Sequence, residues 1–142
     1  MERINDDMTL SFPAKSVNES FARVCVAAFA ARLDPTVADI EELKTAVSEA
    51  VTNAVIHGYE EKDGYITVRC RLDCGLITVE VSDEGRGISD IEKAREPLFT
   101  TRPEMERSGM GFTVMETFMD EVEVESSPGF GTKITMRKNL RK

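Results

Sequence analysis

Apolar positions along this chain change period several times, and each period predicts a different element. Residues 8–14, MTLSFPA, alternate weakly and predict an edge strand that Pro13 ends. Residues 18–33 carry apolar side chains at helical spacing and predict a first helix, with Asn18 placed to cap it. The expected buried face of this helix comprises Phe21, Val24, Cys25, Ala28 and Leu33.

A second helix is predicted over residues 36–59, TVADIEELKTAVSEAVTNAVIHGY. Thr36 is placed to cap its start and Gly58 to end it. Its apolar stripe is expected to comprise Leu43, Val47, Ala50, Val51 and Ala54.

Two hairpins are predicted in the second half of the chain. Residues 65–72 and 76–83 alternate with period two around a short turn at Asp73–Gly75, and residues 121–138 form a closing hairpin. A short helix over residues 112–119 lies between them. Helices set before and among hairpin-linked strands indicate a two-layer α/β sandwich.

Composition narrows the possible functions. A length of 142 residues with 41% hydrophobic side chains predicts one domain, 1–142, with a real core. We find no apolar run able to span a bilayer and no signal peptide, so we expect a cytoplasmic protein without a membrane partner. A net charge of −8 disfavours a nucleic-acid partner. We expect Cys25, Cys70 and Cys74 to be free or buried thiols, and the basic end RKNLRK to be a solubilising tail.

The second helix carries a row of polar residues. Glu49 and Asn53 stand one turn apart on the side away from the apolar stripe, and His57, the chain's only histidine, follows after four residues. From this helix alone, a solvated face is the favoured explanation for Glu49 and Asn53. His57 is expected to cap carbonyls at the helix end.

A carboxylate is predicted to face the core at the end of the second strand of the first hairpin. Asp83 shares a face with Ile77, Val79 and Val81, and burying it is costly unless a donor satisfies it. A ligand amino group such as the exocyclic amine of adenine would serve, and so would the backbone of its own turn. Gly85 and Gly87 permit close approach to a ligand, although turns use glycine anyway.

A second glycine pair opens the short helix. Gly109 and Gly111 lead into a helix N-terminus whose N–H groups suit phosphate, and Arg107 and Ser108 add charge and a hydroxyl. The long polar segment before it is typical of a lid or of a disordered segment. Its Thr101 is suited to phosphate contact, although a solvated loop explains it equally well.

The order of these motifs is more specific than any one of them. E-x-x-x-N-A-x-x-H-G on a helix, D-E-G-x-G-I after a strand and G-x-G-F into a helix resemble the GHKL superfamily of ATPases, which includes gyrase-type, Hsp90-type, histidine-kinase and MutL-type proteins. Within it, residues 47–59 and 97–126 resemble the anti-sigma serine kinases, over nearly the whole chain. The resemblance implies a two-layer sandwich of a mixed, mostly antiparallel sheet with helices on one face, and a flexible ATP lid at about 89–110.

The resemblance also implies roles for the candidate residues. Glu49 would be the catalytic base that orients or deprotonates an acceptor serine, Asn53 would bind Mg²⁺, and Asp83 would hold the adenine amine of ATP. The remaining residues expected at the nucleotide are Gly85, Gly87, Thr101, Arg107, Ser108, Gly109 and Gly111. Glu84, where many superfamily members have Asn, and the bulky Arg86 depart from the superfamily pattern.

The partners that the resemblance implies are all proteins. An ATP-bound homodimer would hold sigma F, a sporulation sigma factor, away from RNA polymerase core, and an anti-anti-sigma factor would displace sigma and be phosphorylated on serine. Arg23, with Ala27 and Ala30, marks a helix face suited to protein contact, although an ordinary exposed face explains it too.

Two other functions remain open from the sequence. A nucleotide-gated module would bind ATP and sequester a partner without transferring phosphate, and Glu49 is the residue that distinguishes it from a kinase. A general-stress anti-sigma kinase would act on a different sigma factor. A sensor histidine kinase is disfavoured, because the only histidine lies inside the nucleotide motif.

Overall fold

The fold is built on a five-stranded sheet. The computed structural model describes residues 5–58, 64–85, 111–127 and 129–140. The strands are β1 (Asn5–Pro13), β2 (Tyr65–Asp73), β3 (Leu76–Asp83), β4 (Glu121–Ser127) and β5 (Gly131–Asn139). They lie in the order β1-β2-β3-β5-β4, so β1 is an edge strand as predicted. All four pairings among these strands are antiparallel.

Three α-helices accompany the sheet in the described ranges. They are α1 (Val17–Ala30), α2 (Val37–Asn53) and α3 (Gly111–Phe118). A 3₁₀ turn, Ala31–Leu33, follows α1, and a π-helical turn, Ala54–Gly58, follows α2. None of the described helices is long and apolar enough to cross a membrane.

The apolar core lies between the sheet and the helices. The predicted stripe of α2 is buried in full, and so are Ile77, Val79 and Val81 of β3. On α3, Phe112 and Met115 complete the same cluster. The predicted two-layer α/β sandwich is therefore confirmed.

The turn between β2 and β3 follows the predicted hairpin chemistry. Cys74 and Gly75 have φ angles of 50° and 93°, and two consecutive positive φ values are typical of a type I′ turn. Such a turn matches the twist of the strands on either side of it. The predicted hairpin is present, with Asp73 paired to Leu76.

The predicted buried face of α1 is wrong within the helix itself, whereas Leu33, in the 3₁₀ turn that follows, is buried as predicted. Phe21 and Val24 are 54% and 57% exposed, whereas Ala22, Val26 and Ala30 are fully buried. Apolar residues lie on both sides of this helix, so periodicity does not distinguish them. The small side chains of Ala22 and Ala30 allow close packing of the helix, which explains why their side faces the core.

The two helix starts differ from each other. Thr36 caps α2 as predicted, because its Oγ1 accepts a hydrogen bond from the backbone N–H of Asp39 at 3.0 Å. Asn18 does not cap α1, since the helix already begins at Val17, the residue before it. Its side-chain amide instead donates to the carbonyl of Pro13 at 2.8 Å and ties α1 to the end of β1.

The basic C-terminal segment is not a solubilising tail. Arg137 and Lys138 belong to β5, and Leu140 is buried. Arg137 pairs with Glu121 and Glu123 on β4 at 3.1 and 3.0 Å. Lys138 is only 3% exposed.

The orientation of α1 can be tested by a pair of truncations. Val26→Ala should lower the free energy of unfolding by about 2 kcal/mol, because it removes buried methyl groups and leaves a cavity. Phe21→Ala, although it removes more atoms, should change the free energy of unfolding by less than about 0.5 kcal/mol, since surface substitutions have small effects. Urea unfolding of both variants measures the difference. A larger loss in Phe21→Ala would contradict the observed orientation.

Candidate functional site

The polar row of α2 lies on its last two turns. Glu49 and Asn53 are both half-buried, and the α-helix ends at Asn53. The π turn that follows contacts β3 and β5, so the end of α2 is held against these two strands. His57 belongs to this π turn and not to the α-helix that carries Glu49 and Asn53. The side chain of His57 lies outside the described residues.

Asp83 occupies the predicted position on the inner face of the sheet. It is the last residue of β3 and is only 7% exposed. Its Oδ1 accepts the backbone N–H of Gly85 at 2.9 Å, and the carboxylate also accepts the backbone N–H of Thr132. Burial raises the pKa of the Asp83 carboxyl, and these two N–H groups oppose the rise without cancelling it.

The carboxylate of Asp83 is held by backbone alone in the part of the chain that the structure describes. No described lysine or arginine forms an ion pair with it. Two N–H groups occupy two of its roughly four acceptor positions. It therefore retains the capacity to accept a hydrogen bond from a ligand amine.

Gly131 is a site residue that the sequence reasoning missed. Its φ is +92°, and a β-carbon there would overlap the carbonyl oxygen of Asp83 and come within 2.8 Å of the Glu84 Cα. Only glycine permits β5 to lie this close to the end of β3. The two glycines of the G-F-G in the closing hairpin were a sequence signal for this contact, but a hairpin turn also accounts for glycines at these positions.

Thr132 and Ser126 continue this contact toward β4. The Ser126 hydroxyl lies 3.0 Å from the carbonyl oxygen of Gly131, to which it donates, and 2.8 Å from the Thr132 hydroxyl. Thr132 is buried and is the cross-strand neighbour of Asp83. The backbone on the β5 side of Asp83 is therefore fixed by hydrogen bonds from two directions.

The structure describes only some of the predicted nucleotide residues. Gly85 follows β3, and Gly111 is the first residue of α3. The others, which lie outside the described residues and stay predictions, are Gly87, Thr101, Arg107, Ser108 and Gly109.

The described residues do not form a metal site by themselves. Within the described ranges, no group of three or more His, Cys, Asp or Glu side chains could hold a metal ion. Mg²⁺ commonly takes one or two protein ligands and completes its shell with water and substrate phosphates. A single amide oxygen such as that of Asn53 fits this mode of binding.

Arg23, the predicted partner-binding residue, lies on α1 beside Glu19. Their side chains form an ion pair at 3.3 Å, and Arg23 is partly exposed. The expectation of an exposed alanine face around it is wrong for Ala30, which is fully buried. Ala27 is half-buried.

The close approach at Gly131 can be tested against a second glycine of the same hairpin. Gly129→Ala should cost about 1 kcal/mol of unfolding free energy, because its φ of +83° strains any residue other than glycine. Among the described residues, no atom lies within 4 Å of the new methyl group. Gly131→Ala should cost about 3 kcal/mol or more, since the methyl group also meets the Asp83 backbone. Urea unfolding measures both values, and equal losses would contradict the contact.

The burial of Asp83 predicts a pH dependence of stability. Because its pKa in the folded protein exceeds the ordinary value of 3.8, ionisation of Asp83 opposes folding at neutral pH. Asp83→Asn should therefore leave the ligand-free protein equally or more stable at pH 7. Its advantage should shrink as pH falls through the folded pKa toward 3.8, where the wild-type carboxyl becomes protonated. Urea unfolding as a function of pH checks this, and an advantage that grows toward acid pH would contradict it.

Comparison with known proteins identifies relatives of this chain. The profile of the histidine kinase-like ATPase domain matches residues 12–138. The chain is 66% identical over 133 residues to the anti-sigma F factor of Thermoanaerobacter sp. (strain X514), which covers 94% of this chain and 93% of that protein. It is 56% identical over 140 residues to the anti-sigma F factor of Bacillus subtilis (strain 168), covering 98% and 96%. The chain therefore belongs to the histidine kinase-like ATPase family and, within it, to the anti-sigma F factors.

Proposed function

We propose that this protein binds sigma F, blocks its association with RNA polymerase core, and uses Mg-ATP to phosphorylate an anti-anti-sigma factor on serine. Membership of the anti-sigma F factors supports the first part, and the histidine kinase-like ATPase domain supports the use of ATP. The protein would act in the cytoplasm, where the polymerase is found.

One observation in the structure carries the nucleotide part of the proposal. Asp83 is a buried carboxylate at the end of a strand, and burial raises its pKa despite two backbone hydrogen bonds. A group that opposes folding when it is ionised needs a reason outside folding, and recognition of a ligand amine supplies one. The exocyclic amine of adenine has the required donor.

The residues of α2 would act on the phosphate end of the nucleotide. Asn53 would offer its side-chain oxygen to Mg²⁺, which when bound neutralises charge on the phosphates. Glu49, one turn earlier, would orient the acceptor serine and take its hydroxyl proton. The serine oxygen then bonds to the γ-phosphorus while the bond from that phosphorus to the β-phosphate oxygen breaks and ADP leaves.

Partner contacts complete the proposal. We propose a homodimer and assign Arg23 to contact with a protein partner. Support for protein contact comes from the exposed apolar residues near it on α1, since a group of such residues on a surface is typical of interaction sites. These residues are Val17, Phe21 and Val24.

Substitution of the proposed base tests the kinase directly. Glu49→Gln should keep ATP affinity but lower the rate of serine phosphorylation by roughly two to four orders of magnitude, because the amide cannot accept the proton. Transfer of labelled γ-phosphate to the anti-anti-sigma factor measures the rate, and calorimetry measures ATP binding.

A matched control is available on the same helix. Glu41→Gln removes an exposed carboxylate of α2 that pairs with Lys44, and it should leave the transfer rate unchanged. Full transfer by Glu49→Gln would overturn the role of Glu49. ATP binding without any transfer by the wild-type protein would favour the nucleotide-gated sequestering module instead.

A further inference from the structure

Lys138 is a buried cation that the proposed chemistry does not use. It lies near the end of β5, and its side chain is 4% exposed. Its Nζ donates to the carbonyl oxygen of Phe118 at 2.7 Å and lies 3.4 Å from Glu42 Oε2 and 3.9 Å from Asp39 Oδ1. The ammonium group has three N–H donors, and these three oxygen atoms surround it.

Two of these contacts involve the helix that carries the polar row. Asp39 and Glu42 lie on the first turns of α2, and Glu49 and Asn53 lie on its last two turns. The third contact involves Phe118, the last residue of α3. Lys138 therefore joins the start of α2 to the end of α3, and it does so from a third element, β5.

The end of α3 is fixed by the same strand at two further points. The backbone N–H of Asp120 donates to the carbonyl of Arg137 at 2.8 Å, and the Asp120 carboxylate accepts the backbone N–H of Asn139 at 2.7 Å. A cation at a helix C-terminus is also favoured by the helix dipole. These contacts set the position of α3 along its axis.

The opposite end of α3 begins at Gly111, which is expected to face phosphate. An eight-residue α-helix is about 12 Å long and moves as a rigid unit, so a shift at Phe118 is carried to Gly111. The orientation of this end relative to Asn53 depends on how α3 is held against α2. Phosphate binding needs the Gly111 end of α3 and Asn53 to lie at the right distance from each other.

A purely stabilising role is a weak explanation for Lys138. Replacing a buried ion pair by apolar side chains of similar volume is often neutral or stabilising, because the desolvation of the charges offsets their attraction. What an apolar residue cannot reproduce is a directed hydrogen bond to one carbonyl and two acidic groups on another helix. These contacts favour a role in which Lys138 fixes the position of α3 relative to α2.

We infer that Lys138 is a positioning residue for nucleotide phosphate: it holds α3 against α2 so that the Gly111 end of α3 meets the phosphates opposite Asn53. The inference rests on the proposed function, because it assumes that the nucleotide is ATP. Asp83, at the adenine end, belongs to the sheet and does not depend on Lys138.

Comparison of ATP with adenosine tests this inference. Lys138→Met removes the charge while keeping the chain length, and it should weaken Mg-ATP binding about tenfold, the effect expected from loss of a charged hydrogen bond. Adenosine affinity should stay within about twofold, because adenosine has no phosphate for α3 to contact. Lys138→Arg, which keeps the charge and the donors, should restore most of the ATP affinity. Calorimetry on the folded variants measures these ATP and adenosine affinities.

Arg137→Met is the matched control for loss of charge. Arg137 is the neighbouring residue on β5 but pairs with Glu121 and Glu123 on β4, so its removal should leave both affinities unchanged. Unchanged ATP affinity in folded Lys138→Met would overturn the inference, and so would an equal loss for ATP and adenosine, which indicates general loosening.

A milder variant keeps the test decisive if Lys138→Met does not fold. Glu42→Gln weakens one partner of Lys138 and should lower ATP affinity about threefold without affecting adenosine, whereas Glu41→Gln on the exposed side should change neither. Equal ATP affinity in Glu42→Gln and Glu41→Gln would overturn the inference. Failure of the wild-type protein to bind ATP would instead overturn the proposed function, so the two failures are distinguishable.

Discussion

Burial of the apolar stripe of α2 is the constraint on which the rest of the structure depends. This helix contacts α1, α3 and the sheet, and Leu43, Val47 and Val51 are fully buried. Each of these side chains contributes about 1.5–3 kcal/mol, and together they are comparable with the roughly 5–15 kcal/mol that stabilises a whole domain. The helix therefore cannot rotate about its axis. Because the rotation is set, so is the direction in which Glu49 and Asn53 point.

The end of β3, in contrast to α2, contains a buried group that lowers the stability of the fold. A buried carboxylate is placed there at a cost to stability, and the chain keeps a glycine at position 131 so that β5 can approach its backbone. Backbone N–H groups of Gly85 and Thr132 hold the carboxylate in one orientation. A site that is preorganised in this way pays part of the cost of binding during folding.

The sequence predicted the positions of helices and strands better than it predicted which side of α1 is buried. Local periodicity and turn chemistry, which depend on few neighbours, predict the strands and helices that the structure describes. They also predict the Thr36 cap and the buried position of Asp83. The buried side of α1 does not, because both sides of that helix are apolar and the tighter packing of Ala22 and Ala30 decides between them. The basic C-terminal segment was misjudged for a related reason. A run of basic residues is typical of a solvent-exposed segment. Lys138 is nevertheless buried, because it contacts acidic side chains and a helix end that are distant in sequence.

The sequence by itself determined the family, through the order of three short motifs, and the residue types available for binding and transfer. Glu49, Asn53 and Asp83 are chemically suited to their proposed roles wherever the fold places them. Only the tertiary structure decided that Gly131 must be glycine and that Lys138 is buried between α2 and α3. Both depend on contacts between residues far apart in the chain, and the free energy of such contacts is not encoded in any local pattern.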